Sequence, residues 1–143
     1  MRIPEGCRTV SIDGDGQFQT ALERVRKHLR ESKAKRILVG AANDPSALGA
    51  LRAFEEAGRA AECAVAGQNA ELEARAEMRS ARTRLVASVG YFPEKYGDGL
   101  LRLALDILAR RAVAPALFTN HQIITPENVD HFYPNDSLMA THG

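Results

Sequence analysis

The chain has 143 residues, of which 45% are hydrophobic, so it is long and apolar enough to bury the core of one domain. Its 19 basic and 18 acidic side chains nearly cancel, to a net charge of +1, and bulk charge therefore gives no indication of nucleic-acid or anionic-membrane binding. No apolar run approaches the roughly 20 residues of a membrane span, and the N-terminal segment MRIPEGCRTV lacks the apolar core of a signal peptide. As written, the sequence predicts a single cytoplasmic domain over residues 1–143.

Strand-like and helical stretches alternate along the chain. Residues 8–12 form a short β-like run, and DGDG at 13–16 is a turn sequence, because glycine adopts positive φ and aspartate bonds to nearby backbone. Apolar residues at helical spacing, Phe18, Leu22, Val25 and Leu29, predict a helix over 17–30. The elements predicted after it are a strand at 36–42, a helix at 45–57, a strand at 62–68, a helix at 71–79, a strand at 85–91, a helix at 94–111 and a strand at 117–124.

The alternation predicts an α/β fold, an open and largely parallel sheet flanked by helices and joined by right-handed crossovers. The strand at 36–42 is almost continuously apolar, which favours burial on both faces. The helix at 94–111 contains LLRLALDIL, which is apolar around most of its circumference and is typical of a helix buried on more than one side.

Polar and aromatic side chains follow the predicted strands, at the edge where open α/β sheets bind ligands. Neutral amides donate and accept hydrogen bonds as sugar hydroxyls do, and aromatic rings stack on the apolar face of a sugar. No GxGxxG or GxxxxGK[ST] loop is present, so the set does not match phosphate recognition. The residues after the four strands are Asp13–Phe18, Asn43 and Asp44, Gln68 and Asn69, and Tyr91, Phe92 and Glu94.

The tripeptide at 43–45 admits a structural and a functional interpretation. Asp44 precedes Pro45, which is tolerated at the first helical position, so Asp44 is predicted to cap the helix. That cap does not explain Asn43, which leaves Asn43 as a candidate ligand contact. Of Tyr91 and Phe92, at least one is predicted to belong to the core.

The residues contain no catalytic constellation, which predicts a protein that is not an enzyme. Ser46 and Ser88 lack the GxSxG context of a nucleophile elbow. The histidines are too scattered for a metal signature, although Asp130 and His131 are adjacent; they are His28, His121, His131 and His142. Cys7 and Cys63 lack CxxC spacing, so their redox state stays open. An enzyme of this fold, as an alternative, would need an acid–base pair at the strand ends.

Several segments resemble one protein family, in the family's order. NDPSALGALRAFEEAG resembles the NDxxAxGxxxAxxxAG segment of type I periplasmic sugar-binding proteins and of the effector domain of lactose-repressor-type regulators. CAVAGQN resembles the family's strand ending in Gly-x-Asp or Gly-x-Asn, and LVASVGYFPEKYGDGLLRLALDIL resembles its next strand, hinge and long helix. ITPENVDHFYP resembles the tail of ABC-transporter sugar receptors more than that of the regulators. The resemblance spans residues 8–134.

The resemblance implies sugar-binding positions, carried over residue by residue. Asn43 matches the family's sugar-contacting Asn, and Asp44 matches its partner at the helix start. The amide at Asn69 stands where many relatives have a carboxylate, which leaves the identity of the sugar open. The implied ligand-binding residues are Gln17, Phe18, Asn43, Asp44, Asn69 and Tyr91; no metal or other cofactor is implied.

The implied function is sugar binding as part of an ABC-transporter substrate-binding protein. Its partners would be a sugar and a membrane permease, without nucleic acid, and the full-length parent would be periplasmic. The alternative is the effector-binding domain of a lactose-repressor-type regulator. Since the family has two lobes and about twice this length, the chain is expected to be a C-terminal lobe with Met1 as an internal start. The helix at 94–111 would then pack on an absent first lobe or on a partner chain. Contact with a partner chain would give a homo-oligomer, and the missing lobe would make sugar binding by this chain weak.

Overall fold

The computed structural model describes residues 6–136, and residues 1–5 and 137–143, which include Met1 and His142, lie outside the described part. It confirms an α/β fold with an open sheet in the order β1-β2-β3-β4, in which β1, β2 and β3 are parallel and β4 is antiparallel to β3. The elements are α1 (Phe18–Glu31), β1 (Ile37–Gly40), α2 (Asp44–Glu56), β2 (Cys63–Asn69), α3 (Leu72–Met78), β3 (Leu85–Gly90), α4 (Gly97–Leu108), β4 (Gln122–Ile124) and α5 (Val129–Phe132), with 3-10 turns at Ala60–Glu62 and Pro93–Lys95.

The core lies between one face of the sheet and a helical layer in which α2 contacts both α1 and β2. Gly49 sits where α1 crosses α2, and a Cβ there would lie only 2.3 Å from the carbonyl oxygen of Phe18. The missing side chain therefore sets how closely the two helices approach. The apolar face predicted for α1 is confirmed at three of its four positions, since Phe18 is half-exposed and the others are buried: Leu22, Val25 and Leu29.

The opposite face of the sheet is open in the described residues, so the prediction that strand 36–42 is buried on both faces is wrong. Leu38 is 72% exposed, Val86 43% and Ile123 61%. A buried strand needs a layer on each side, and no helix of the described residues covers this face. None of the residues of α4 is buried.

Two of the predicted strands differ in the structure. Residues 8–12 are not a strand, because no strand within residues 6–136 pairs with them, and Val10 and Ile12 remain exposed. The strand predicted at 117–124 is reduced to β4. Gln122 already pairs with Gly90, the last residue of β3, so the residues before Gln122 run past the end of their neighbour and have no ladder to join.

The helix predicted at 94–111 is a 3-10 turn followed by the shorter α4. Phe92 adopts a left-handed conformation with φ 54°, and Gly97 and Gly99 weaken helix formation at the start. The turn predicted at 13–16 is confirmed, since the Asp13 carboxylate accepts a 3.0 Å hydrogen bond from the Asp15 amide. In residues 6–136 no helix has the length and apolarity needed to cross a membrane. Cys7 and Cys63 are unbridged thiols, and burial raises the pKa of the Cys63 thiol.

Candidate ligand-binding site

Three predicted site residues come together at the carboxyl edge of the parallel strands. Asn43 follows β1, Asn69 is the last residue of β2, and Tyr91 follows β3. The register pairs Asn69 with Gly90, so Asn69 and Tyr91 lie on neighbouring strands at the same edge. The edge is therefore the place where an open parallel sheet presents side chains to a ligand.

Asn43, not Asp44, caps α2. Its side-chain oxygen accepts a 3.0 Å hydrogen bond from the Ser46 amide, and its Nδ2 donates a 2.8 Å bond to the carbonyl of Gly16. The prediction of Asp44 as the cap is wrong by one residue. Both residue types are good caps, and the chain uses the first of the pair because the side chain of Asp44 turns inward. Asn43 thus fixes both the helix start and the 13–16 turn.

Asp44 has no exposed surface and lies beneath the edge. Its carboxylate accepts a 2.6 Å hydrogen bond from the hydroxyl of Ser88 and a 2.7 Å bond from the amide of Glu71. Burial raises the pKa of Asp44, and these hydrogen bonds lower it without cancelling the effect of burial. Gly67 leaves room for the carboxylate, because a Cβ there would lie 2.2 Å from Asp44 Oδ1.

The turn between β2 and α3 carries Asn69 in an uncommon conformation. Asn69 has φ 101° and Ala70 has φ 51°. Positive φ costs non-glycine residues of order 1–3 kcal/mol each, so surrounding contacts must stabilise the turn. The Ala70 amide donates to Ser88 Oγ at 3.0 Å, and the Arg75 guanidinium donates to the Ala70 carbonyl at 2.5 Å. The Asn69 side chain is exposed, and one of its N–H groups bonds to Glu71.

Tyr91 is half-buried and belongs to a second hydrogen-bonded group. Its hydroxyl donates to Gln68 Oε1 at 2.8 Å, and its carbonyl accepts from the Tyr96 hydroxyl at 2.7 Å. The neighbouring Phe92 is buried against Phe132, at 5.8 Å between ring centroids. The prediction that one of the two aromatic residues belongs to the core is thereby confirmed for Phe92.

The groups at this edge include the amides of Asn43 and Asn69, the phenol of Tyr91 and the carboxylate of Glu71, which is bonded to Asn69. In residues 6–136 no three His, Cys, Asp or Glu side chains are grouped as metal ligands would be. The chemistry offered by the edge is the paired donation and acceptance that hydroxyl groups require.

No protein-family model and no curated protein matches the chain, whereas solved structures match it over most of its length. A periplasmic solute-binding protein of an ABC transporter from Actinobacillus succinogenes, with bound D-allose, has a TM-score of 0.73 at 19% identity, over 82% of this chain and 41% of its own. The fructose-binding periplasmic domain of a hybrid two-component system has a TM-score of 0.71 at 25% identity, over 90% and 42%. The Caulobacter myo-inositol-binding protein, bound to myo-inositol, has a TM-score of 0.67 at 26% identity, over 80% and 39%.

The chain has the fold of periplasmic sugar-binding proteins. It spans about two fifths of the length of the three structures just described, so a periplasmic sugar-binding fold is present here in part.

One predicted site residue, Phe18, lies apart from this edge, on the helical layer. Phe18 is 41% exposed and lines a groove of about 620 Å³ on the helical layer, where it meets Leu48 and Leu51 of α2. Gln17, the residue before α1, is exposed and follows Gly16, whose carbonyl accepts the hydrogen bond from Asn43. The structure therefore brings together Asn43, Asn69 and Tyr91 with Asp44 beneath them, and places Phe18 elsewhere.

Sequence reasoning missed two residues of the edge. Ser88 links Asp44 to the β2–α3 turn, and Gln68 holds the Tyr91 hydroxyl. The available signal for Ser88 was a polar residue in the otherwise apolar stretch LVASVG. Gln68 was noted only as a residue after the third strand.

Proposed function

We propose that this chain is one lobe of a sugar- or polyol-binding protein that supplies an ABC transporter, and that its carboxyl edge contacts ligand hydroxyls. The observation that carries the proposal is the convergence of Asn69 and Tyr91 on neighbouring strand ends, with Asn43 beside them. The ligands of the similar structures, D-allose and myo-inositol, are themselves polyhydroxylated.

Hydrogen-bond capacity supports this assignment. Within the described residues, Asn69 uses one N–H of its amide on Glu71, which leaves its carbonyl oxygen and second N–H for a ligand. Gln68 uses its oxygen on Tyr91, so its two N–H groups are available as donors. Both amides therefore keep donors for ligand hydroxyls, and Asn69 also keeps its acceptor oxygen.

The site is half of a cleft. Ligand closure between two lobes requires both, so the isolated chain is expected to bind sugar weakly. α4, which has no buried residue, is expected to pack on a first lobe or on a second copy of this chain. A membrane permease and a periplasmic location belong to the full-length parent in this proposal. None of the three similar structures described above is the effector domain of a lactose-repressor-type regulator, which does not favour that alternative.

Titration of the ¹⁵N-labelled chain with D-allose, allitol and myo-inositol tests the proposal. We expect saturable chemical-shift changes confined to the amides around Asn43, Asn69 and Tyr91, at millimolar sugar. Asn69→Ala should weaken binding roughly tenfold, because a ligand hydrogen bond is lost. Gln19→Ala, which removes an exposed amide on α1, is the matched control and should bind as the wild type does. Absence of shifts with all three polyols would contradict the proposal. Micromolar affinity for any of them would contradict the claim that this chain carries only half of the binding cleft.

A further inference from the structure

The turn at Asn69–Glu71 has a strained backbone, and two of its amides are bonded to buried side chains. Asn69 and Ala70 have positive φ without being glycine. The amides of Ala70 and Glu71 both point into the protein, where they meet Ser88 and Asp44. A turn that needed only to connect β2 to α3 could use glycine at these positions and dispense with buried partners.

Asp44 is the point at which three segments meet. Its backbone begins α2, one carboxylate oxygen accepts from β3 through Ser88, and the other accepts from the turn through Glu71. Both Asp44 and Ser88 are at most 1% exposed, so no water competes for these bonds. The same residue therefore connects the end of β1, the end of β2 and β3.

We propose that Asp44 is a positioning residue, whose buried carboxylate holds the Asn69–Glu71 turn in its positive-φ conformation and thereby fixes the direction in which Asn69 presents its amide. The inference rests on the proposed function in so far as Asn69 is the ligand contact. It assigns Asp44 a role beneath the ligand surface, acting through Asn69.

Arg75 holds the same turn from the other side. It donates to the Ala70 carbonyl and lies 4.1 Å from the ring centroid of Tyr133, in the C-terminal part of the described chain. Arg75 bonds to the Ala70 carbonyl and Asp44 bonds to the Glu71 amide, so the two side chains hold different backbone groups of the turn. Loss of Asp44 should loosen the Glu71 end of the turn and leave the Arg75 contact in place.

Amide hydrogen exchange on the ¹⁵N-labelled chain tests the proposal without a sugar. Asp44→Asn keeps the size of the side chain but removes its charge and one acceptor oxygen, so the Ser88 hydroxyl and the Glu71 amide no longer each have a carboxylate oxygen to donate to, and the bonds that remain are weaker. We expect exchange at Ala70 and Glu71 to accelerate roughly tenfold more than at Val65 in β2, as for loss of one buried hydrogen bond. The two side-chain N–H signals of Asn69 should shift as well. Ser88→Ala, which removes the other partner of the turn, is a second variant with the same expectation.

Leu29→Ala is the control for a merely structural effect, because Leu29 is buried in α1 and lies outside the turn. If Asp44→Asn and Ser88→Ala change exchange at the turn no more than Leu29→Ala does, the positioning role is wrong. Titration with D-allose then separates the two proposals. Wild-type shifts at Asn69 that disappear in Asp44→Asn support both, whereas a changed turn with no wild-type response to sugar supports the role of Asp44 and contradicts the proposed function.

Discussion

Arg75 donates two hydrogen bonds to the carboxylate of Asp136, at 2.7 and 2.8 Å, across 61 residues of chain. Both side chains are largely buried, at 16% and 12% exposed. Arg79 donates a third bond to the same carboxylate at 2.9 Å. The paired arginines fasten the C-terminal segment against α3, beside the turn that carries Asn69.

Asp136→Asn should therefore lower the free energy of unfolding by about 1–3 kcal/mol at neutral pH, because charge-assisted bonds from two arginines are lost. Asp130→Asn is the matched control: Asp130 also bonds to Arg79, at 2.8 Å, but it is 81% exposed and should matter little. Urea unfolding of the three proteins measures the difference. Equal losses in both variants would contradict the anchoring role.

The same ion pair predicts how stability depends on pH. Burial alone would raise the pKa of Asp136, but the bonds from Arg75 and Arg79 outweigh it and lower the pKa below its ordinary value of 3.8. A lowered pKa means that the ionised form is favoured by folding, so the stabilisation is present above pH 3.8 and is lost as the pH falls through the folded-state value. The stability difference between wild type and Asp136→Asn should shrink on acidification below that pH. If urea unfolding gave the same difference in free energy of unfolding between the two proteins above and well below pH 3.8, this dependence on Asp136 would be disproved.

Local signals in the sequence predicted α1, α2, α3 and the parallel strands, whereas the errors at residues 8–12 and in β4 involve contacts between distant residues. α1 and α2 begin and end within one residue of their predicted bounds, since apolar spacing and the glycine at 58 are read from neighbouring positions. Residues 8–12 have the composition of a strand, but a strand also needs a neighbour, and its pairing is not encoded locally. The length of β4 depends in the same way on where β3 ends.

The convergence of Asn43, Asn69 and Tyr91 at one edge could be predicted from the order of the strands, but the division of roles between Asn43 and Asp44 could not. Asn43 and Asp44 are both good caps, and nothing within the tripeptide distinguishes them. The choice is made by Ser88, 44 residues away, which draws the Asp44 carboxylate inward. A resemblance between segments predicts which strand ends converge; the buried partners of each side chain come only from the folded chain.

Two strand glycines should respond differently to an added methyl group. Gly67→Ala would place its Cβ 2.2 Å from Asp44 Oδ1, so the carboxylate or the strand must shift, and we expect a loss of about 1–3 kcal/mol. Gly40→Ala in the neighbouring strand meets no atom within 4 Å and should change stability by less than about 0.5 kcal/mol. Chemical denaturation compares them. A Gly67→Ala protein as stable as Gly40→Ala would mean that Asp44 is free to move.

Arg59 closes the end of α1 through its guanidinium. It donates to the carbonyls of Leu29, Ser32 and Ala34, at 2.6 to 3.0 Å, and its Nε donates to Glu62. Lysine has the charge but not the planar set of donors, so Arg59→Lys should cost about 1–3 kcal/mol in the free energy of unfolding. Arg52→Lys is the control, since Arg52 is exposed and its guanidinium pairs with the carboxylates of Glu55 and Glu56. Equal midpoints of thermal unfolding for the two variants would contradict the role of the Arg59 guanidinium.

The unburied helix α4 predicts self-association. Its side chains Leu101 and Leu105 lie one turn apart and are 61% and 54% exposed, on a helix with no buried residue. Exposed leucines on a helix with no buried residue favour contact with another copy of the chain at tens of micromolar protein. Sedimentation velocity should show a dimer or larger species for the wild type and a monomer for Leu101→Lys/Leu105→Lys. Leu72→Lys, which replaces an exposed leucine on α3, should sediment as the wild type does. A wild-type monomer at these concentrations would contradict the prediction, and loss of association in Leu72→Lys would place the contact surface away from α4.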